Sequence, residues 1–255
     1  MKLSVIIPVY NEEDTILELL DRVAKAPIKV EMEVIVVNDG SSDSTSDKLE
    51  GYFSKFSKSG YGIQLKIIHK VNGGKGSAIF TGLNYATGDI VLIQDADLEY
   101  YPDDYGRLIE PMLKGYTRVV YGSRFMGRYI PQGMTLKNWV GNMVLNATAW
   151  ALYGFGSTTD LATGYKVWFR KDIPADALLC KGFEFCPVHF AACYHRGLKI
   201  WEVPISFNAR WYDAGKKLTT SAGIFELFTL IKARFNKDGP VRGRRKLLET
   251  KLGSK

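Results

Sequence analysis

A chain of 255 residues with 46% hydrophobic residues can bury a full core, enough for one large α/β domain with a tail. Its formal net charge is +7, yet between Lys237 and Lys255 seven basic residues stand against Asp238 and Glu249, so five of those charges sit in the tail and the body is nearly neutral. A nucleic-acid-binding face, which interleaves basic and aromatic residues over a folded surface, does not fit that distribution.

LSVIIPVY (3–10) predicts a short strand, and its apolar run meets Pro8 too soon for a signal peptide. Ile16, Leu17, Leu20 and Val23 follow at helical spacing, and VEMEVIVVN (30–38) predicts the second strand. Asp43 opens another helix, IQLKIIH (63–69) is a third strand, and SAIFTGLNYA (77–86) is a helix ended by Gly88. DIVLIQ (89–94) is a fourth strand, a helix runs from about Pro102 to Leu113, and TRVVYGS (117–123) is a fifth strand. The window WVGNMVLNATAWALYGFG from Trp139 comes nearest to a membrane span, but Asn142 and Asn146 interrupt it before the roughly 18 apolar residues a span needs. Cys180, Cys186 and Cys193 match neither a CxxC pair nor a zinc spacing and are expected to be reduced core thiols. SAGIFELFTLIKARF (221–235) carries a broad apolar helical face that suits either the core or a bilayer interface.

Four successive β-α units with continuously apolar strands argue for a mostly parallel sheet with helices on both faces. Ligands of such sheets lie beyond the carboxyl ends of the strands. Tyr10-Asn11-Glu12, Asn38-Asp39-Gly40-Ser41, Asn72-Gly73-Gly74-Lys75-Gly76, Asp95-Ala96-Asp97 and Gly122-Ser123-Arg124 all fall there.

Residues i and i+2 of an extended chain point to the same side, so Asp95 and Asp97 can present carboxylates to one ion while Ala96 faces away. Mg2+ or Mn2+ takes one or two protein carboxylates and completes its shell with water and substrate phosphates. Alone, D-x-D recurs by chance about once in a few hundred positions; at the end of a fourth strand it is more specific. NGGKGSA lacks both the G-x-x-x-x-G-K-[ST] and the G-x-G-x-x-G spacing. As a glycine turn opening a helix it can still offer amides to an anion, with Lys75 adding charge.

SVIIPVYNEE, VIVVNDGSSDST, GGKGSAIFTGL, GDIVLIQDADLEYYPDD and VVYGSRF resemble, in order, the motifs of family 2 glycosyltransferases of the GT-A fold, over about residues 1–235. DLATGYKVWFRKD, GFEFCPVHFA and LKIWEVPISFNARWYDAGKKLT resemble the polyprenyl-phosphate branch, the dolichyl-phosphate mannose and glucose synthases. The resemblance implies a transferase domain over 1–235 followed by a basic tail over 236–255. It also implies a nucleotide-sugar donor, a divalent metal, and inverting transfer to a polyprenyl phosphate. Pro8, Tyr10, Glu12 and Asp39 would hold base and ribose, with Lys75 and Ala96 also on the nucleotide side. Asp95, Asp97 and Glu99 would gather at the metal. Arg124 would contact phosphate, and Lys217 resembles the lysine of a GSKL motif whose serine is here Lys216. Asp160 and Glu184 would line the acceptor side.

An acceptor phosphate is already ionised near neutral pH and needs no protein base. The enzyme must supply in-line positioning and charge neutralisation on the leaving diphosphate, so His69, His189 and His195 are expected to be ordinary residues. A sugar-hydroxyl acceptor would need a carboxylate base, with Asp160 the first candidate. The alternatives are thus transfer to a saccharide, or a nucleotide-sugar binding module without catalysis. The expected location is the cytosolic face of a membrane, reached through the basic tail, the C-terminal helix or a separate membrane partner.

Overall fold

Strand β1 (Lys2–Val9) serves two cores at once. Leu3, Val5, Ile7 and Val9 enter one and Ile6 the other, the period of two expected of extended chain covered on both faces. The computed structural model describes residues 1–56, 62–126, 131, 133–154, 158–209 and 220–235. After β1 come α1 (Ile16–Ala24), β2 (Glu31–Asn38), α2 (Thr45–Phe56), β3 (Gln64–His69), α3 (Lys75–Tyr85), β4 (Ile90–Ile93), α4 (Tyr105–Leu113) and β5 (Val119–Ser123). The second half adds α5 (Leu136–Tyr153), β6 (Lys166–Phe169), α6 (Phe185–His195), β7 (Ile200–Pro204) and α7 (Thr220–Phe235). Helix α1 buries Ile16, Leu19, Leu20 and Val23, the i, i+3, i+4, i+7 stripe of a surface helix. It shares its core with Leu108, Ile109 and Met112 of α4. On the opposite face, α3, α5, α6 and α7 close the second core around Trp168 and Phe190.

The seven strands lie in the order β3-β2-β1-β4-β6-β5-β7. β1 pairs in parallel with β2 and β4, β2 with β3, and β5 with β7. The sequence reading omits β6, which runs antiparallel to β4 and β5 and separates them. Its pattern is hard to read because it is four residues long and starts with a lysine. Lys166 is nonetheless fully buried, its Nζ donating to the Leu161 and Thr163 carbonyls at 3.0 and 2.5 Å and lying over the Tyr121 ring.

The reversed direction of β6 has a consequence for function. Its first residue lies level with the ends of β4 and β5, through Val167 opposite Leu92 and Lys166 opposite Tyr121. Residues 160–165 therefore arrive at the same sheet edge as Asp95 and Arg124. Among the thiols, Cys186 and Cys193 are buried and Cys180 is partly so.

Candidate active site

A cavity of about 970 Å3 opens along this edge. Pro8, Tyr10, Glu12, Asp39, Lys75, Asp95, Ala96, Asp97, Glu99 and Arg124 all line it, so the structure gathers ten of the sequence-predicted residues. Its wall also includes Val144 and Leu145 of α5, Phe185 and Cys186 of α6, and Ile224, Glu226 and Leu227 of α7.

The first two loops are clipped to one another. Asn11 Oδ1 accepts from the Ser42 amide at 2.8 Å, the Glu12 amide donates to Thr45 Oγ1 at 2.9 Å, and the Glu13 amide donates to Asp43 Oδ2 at 3.3 Å. The acids and hydroxyls of the YNEE and GSSDST stretches thus fix a rim. Asn11 takes a left-handed φ of 50° there, which a short amide side chain tolerates.

Asp39 organises the glycine turn before α3. Its Oδ1 accepts from the Gly73 amide at 3.0 Å and Lys70 Nζ at 2.5 Å, and its Oδ2 from the Gly74 amide at 2.7 Å. Gly74 has φ of 89°, and a Cβ there would collide with the Lys181 carbonyl. Two further amides, of Gly76 and Ser77, donate to the Gly182 and Lys181 carbonyls at 3.1 Å each. The expectation that this turn offers its amides to an anion is corrected: these four belong to Asp39 and to the segment before α6. Lys75 is likewise directed inward, with Nζ 2.5 Å from Asp95 Oδ1. Burial works against its charge, but Asp95 outweighs it and holds the lysine above its ordinary pKa.

The acidic loop is crowded. Asp95 fits against the start of β6 only because residue 164 is glycine, where a Cβ would strike Asp95 Oδ2. Ala96 turns into the core, and Leu98 is held at φ 60°, a left-handed conformation that a side-chain-bearing residue adopts at a cost of order 1–3 kcal/mol. Burial, with the charges of Asp95 and Glu99, pushes Asp97 up to about 7. Buried Glu33, at the opposite end of the sheet, shows the contrary case. There burial is outweighed by hydrogen bonds from Ser4, Thr87 and Lys2, which hold it near 2.

Crowded carboxylates of this kind gain from a cation. Among the described residues no three His, Cys, Asp or Glu form a ready-made metal cage. Asp95, Asp97 and Glu99 offer only oxygen donors, the kind that Mg2+ or Mn2+ takes one or two at a time alongside water and phosphate.

Arg124 closes the other side. Its Nε and Nη2 donate to Asp160 Oδ2 and Oδ1, both at 2.7 Å, and the guanidinium lies over the Phe207 ring at 5.2 Å. Asp160, expected at the acceptor side, does not line the cavity and is fully buried beneath Arg124. Its loop is held by three residues that no sequence motif marks as part of the site. Glu202 accepts from the Thr158 hydroxyl and the Thr159 and Asp160 amides, Asn146 bridges the Thr159 carbonyl and Leu161 amide, and Trp150 Nε1 donates to the Thr158 carbonyl. Glu184, also expected at the acceptor side, accepts from the Lys181 and Gly182 amides at 2.9 Å each. Lys217, Lys216 and the tail from 236 to 255 lie outside the described residues. None of the histidines lines the cavity. His69 is near Asn38 and Glu50, His189 near Tyr121, and His195 near the Ala233 carbonyl.

The sequence profile of glycosyl transferase family 2 matches residues 4–173, which span all of these loops from Tyr10 to Asp160. The chain belongs to glycosyl transferase family 2. Among relatives of this family 2 chain, a dolichol-phosphate mannosyltransferase of Pyrococcus furiosus is 29% identical over 222 residues, 82% of this chain and 57% of that protein. An undecaprenyl-phosphate 4-deoxy-4-formamido-L-arabinose transferase of Proteus mirabilis is 35% identical over 158 residues, 61% of this chain and 47% of that one. The family 2 chain thus spans about half the length of these curated relatives. Glucosyl-3-phosphoglycerate synthase of Mycobacterium tuberculosis, solved with Mn2+, uridine-diphosphate-glucose and phosphoglyceric acid, superposes with a TM-score of 0.68 at 20% identity. That superposition covers 91% of this chain and 79% of the other and shows the fold, GT-A. The profile of family 2 ends before α6 and α7, so Phe185, Cys186 and Glu226 reach the cavity from outside the matched stretch.

Proposed function

We propose that the protein transfers a hexose, with inversion, from a nucleotide sugar such as GDP-mannose or UDP-glucose to a polyprenyl phosphate at the cytosolic face of a membrane. The observation that carries this reading is the make-up of one continuous cavity. It is lined by the carboxylates and cations at the strand ends and, along α5 and α7, by Val144, Leu145, Ile224 and Leu227, a combination suited to a diphosphate on one hand and an isoprenoid on the other. The names of the two relatives support the same branch.

The chain's own groups fit base-free transfer. Asp160, the carboxylate that a hydroxyl acceptor would call for, has both oxygens engaged by Arg124, which favours an acceptor that is already ionised. Arg124, fixed in direction by that pair, would meet phosphate with its remaining N–H groups. Pro8, Tyr10, Glu12 and the turn that Asp39 secures would frame the nucleoside, and Lys217 would add positive charge. A divalent ion held by Asp95, Asp97 and Glu99 would neutralise charge building on the departing diphosphate.

Residues 1–235 would form the transferase unit and 236–255 a basic appendage. Among the described residues no helix is long and apolar enough to cross a membrane. Leu136 and Val140 of α5 and Phe225 and Phe228 of α7 are exposed, and such faces suit a bilayer interface. Incubation with Mn2+, labelled GDP-mannose or UDP-glucose, and either polyprenyl phosphate or a saccharide tests the proposal. Label is expected in the lipid fraction, and label entering only the saccharide would overturn it.

A further inference from the structure

Helix α7 is inverted over its first turns. Ile224, Phe225 and Phe228 are 54%, 56% and 67% exposed, whereas Glu226 between them is 6% exposed. Leu230 and Ala233, four and seven positions on, are buried on the same face, so Glu226 occupies a seam position at which packing favours an apolar side chain. A carboxylate buried in such a place is unfavourable unless something meets it. The Glu226 carboxyl makes no hydrogen bond or ion pair with any described residue, and it lines the cavity together with Lys75, Asp97 and Arg124. Burial pushes its acid up to about 7, with Lys166, Lys75 and Arg124 drawing it back and Glu184 adding to the rise.

The chemistry of this position selects its ligand. A diphosphate or an acceptor phosphate would repel a carboxylate, and both have cations elsewhere in the cavity. A neutral sugar ring instead brings several O–H donors, which a carboxylate accepts strongly. Phe185 of α6 lines the same cavity, and an aromatic face suits the C–H side of a pyranose.

We infer that Glu226 accepts hydroxyl hydrogen bonds from the hexose being transferred and helps determine which hexose fits. The inference rests on the glycosyl-transfer reading and assigns the residue of that site which contacts the sugar. It draws on α7, beyond the stretch that the family profile matches.

Calorimetric titration of the full chain in Mn2+ with UDP, GDP, UDP-glucose and GDP-mannose tests it. For the nucleotide that wild type prefers, Glu226→Leu should weaken the nucleotide sugar about tenfold or more and leave the nucleoside diphosphate unchanged. Glu226→Gln, which keeps one acceptor oxygen and the side-chain shape, should fall between, and it decides the matter if the leucine variant does not melt cooperatively. Unchanged nucleotide-sugar affinity in both variants, or equal weakening of sugar-bearing and sugar-free ligands, would overturn the assignment while leaving the transferase reading intact. Wild-type protein that binds none of the four ligands would overturn that reading, and the inference with it.

Discussion

Arg124 and Asp160 meet fork to fork: two side-chain bonds of 2.7 Å are joined by a third, 3.0 Å, from the Arg124 amide to Asp160 Oδ2. With both oxygens of the carboxylate turned toward one arginine through three hydrogen bonds, Asp160 orients Arg124 instead of facing the cavity. Asp160→Asn should lower kcat by about 10- to 100-fold through loss of that orientation. The pH dependence of kcat should keep its shape, and loss of its acid limb would instead assign Asp160 as a base. Asp160→Ala, which leaves the guanidinium buried without its partner, should also cost about 3–5 kcal/mol in urea unfolding.

At the acidic loop, Asp97→Asn retains volume and removes one negative ligand. Transfer should fall by on the order of a hundredfold or more, a loss of a few kcal/mol of transition-state stabilisation. The urea midpoint should hold or rise, because the crowding with Asp95 and Glu99 is relieved. Full turnover by this variant in chelator-treated buffer would dismiss the metal assignment.

His189 offers a pH test that separates stability from chemistry. Its Nδ1 lies 2.8 Å from the Tyr121 hydroxyl among the rings of Trp168 and Phe185, and burial, with Lys166 and Arg196 nearby, holds its pKa well below the ordinary value. An unfolded chain takes up that proton near pH 6.5 while the native one resists. The stabilisation is therefore complete above about pH 6.5 and declines as pH falls below it. His189→Phe should flatten that decline between pH 7.5 and 5, yet cost about 1 kcal/mol at neutral pH by removing one of the two partners, with Cys193, of the Tyr121 hydroxyl. Transfer should stay within about tenfold of wild type, as it should for alanine at His69 or His195. A variant that unfolds like wild type but no longer transfers sugar would sink the base-free chemistry.

The proposed membrane association would have two separable sources. Arg242, Arg244, Arg245 and Lys246 would each contribute roughly 1 kcal/mol at an anionic leaflet, so truncation after Asp238 should reduce sedimentation with anionic liposomes and remove most of its salt dependence. Serine at Phe225 and Phe228, exposed aromatics of α7, should weaken binding to neutral liposomes as well. If neither change matters, a separate membrane partner supplies the anchor.

The four N-terminal β-α units were readable because β1, β2 and β4 are covered on both faces and show uninterrupted apolar runs. The same regularity placed Tyr10, Asp39, Asp97 and Arg124 at one edge. Strand β6 was not readable, since a buried lysine solvated by the Leu161 and Thr163 carbonyls has the look of a surface residue in sequence. The partners of the Gly76 and Ser77 amides are illegible for another reason: their acceptors lie about a hundred residues away, and no local pattern announces them. Glu226 is hidden in the sequence because helical periodicity weighs a whole face, and one inward acid among six apolar neighbours barely alters it.

The late arrival of β6 bears on how the chain comes to its final shape. The segment of the sheet carrying Asp95 and Asp97 can pair strand by strand as it emerges, while the one carrying Arg124 has no neighbour in it until residues 166–169 exist. A chain halted near residue 160 would leave the β4 edge with its backbone donors and acceptors exposed, an invitation to pair with other copies. Arg124 can therefore take its place beside Asp95 and Asp97 only after β6 has paired with both β4 and β5, and the outer edge of β5 stays open until residues 200–204 follow.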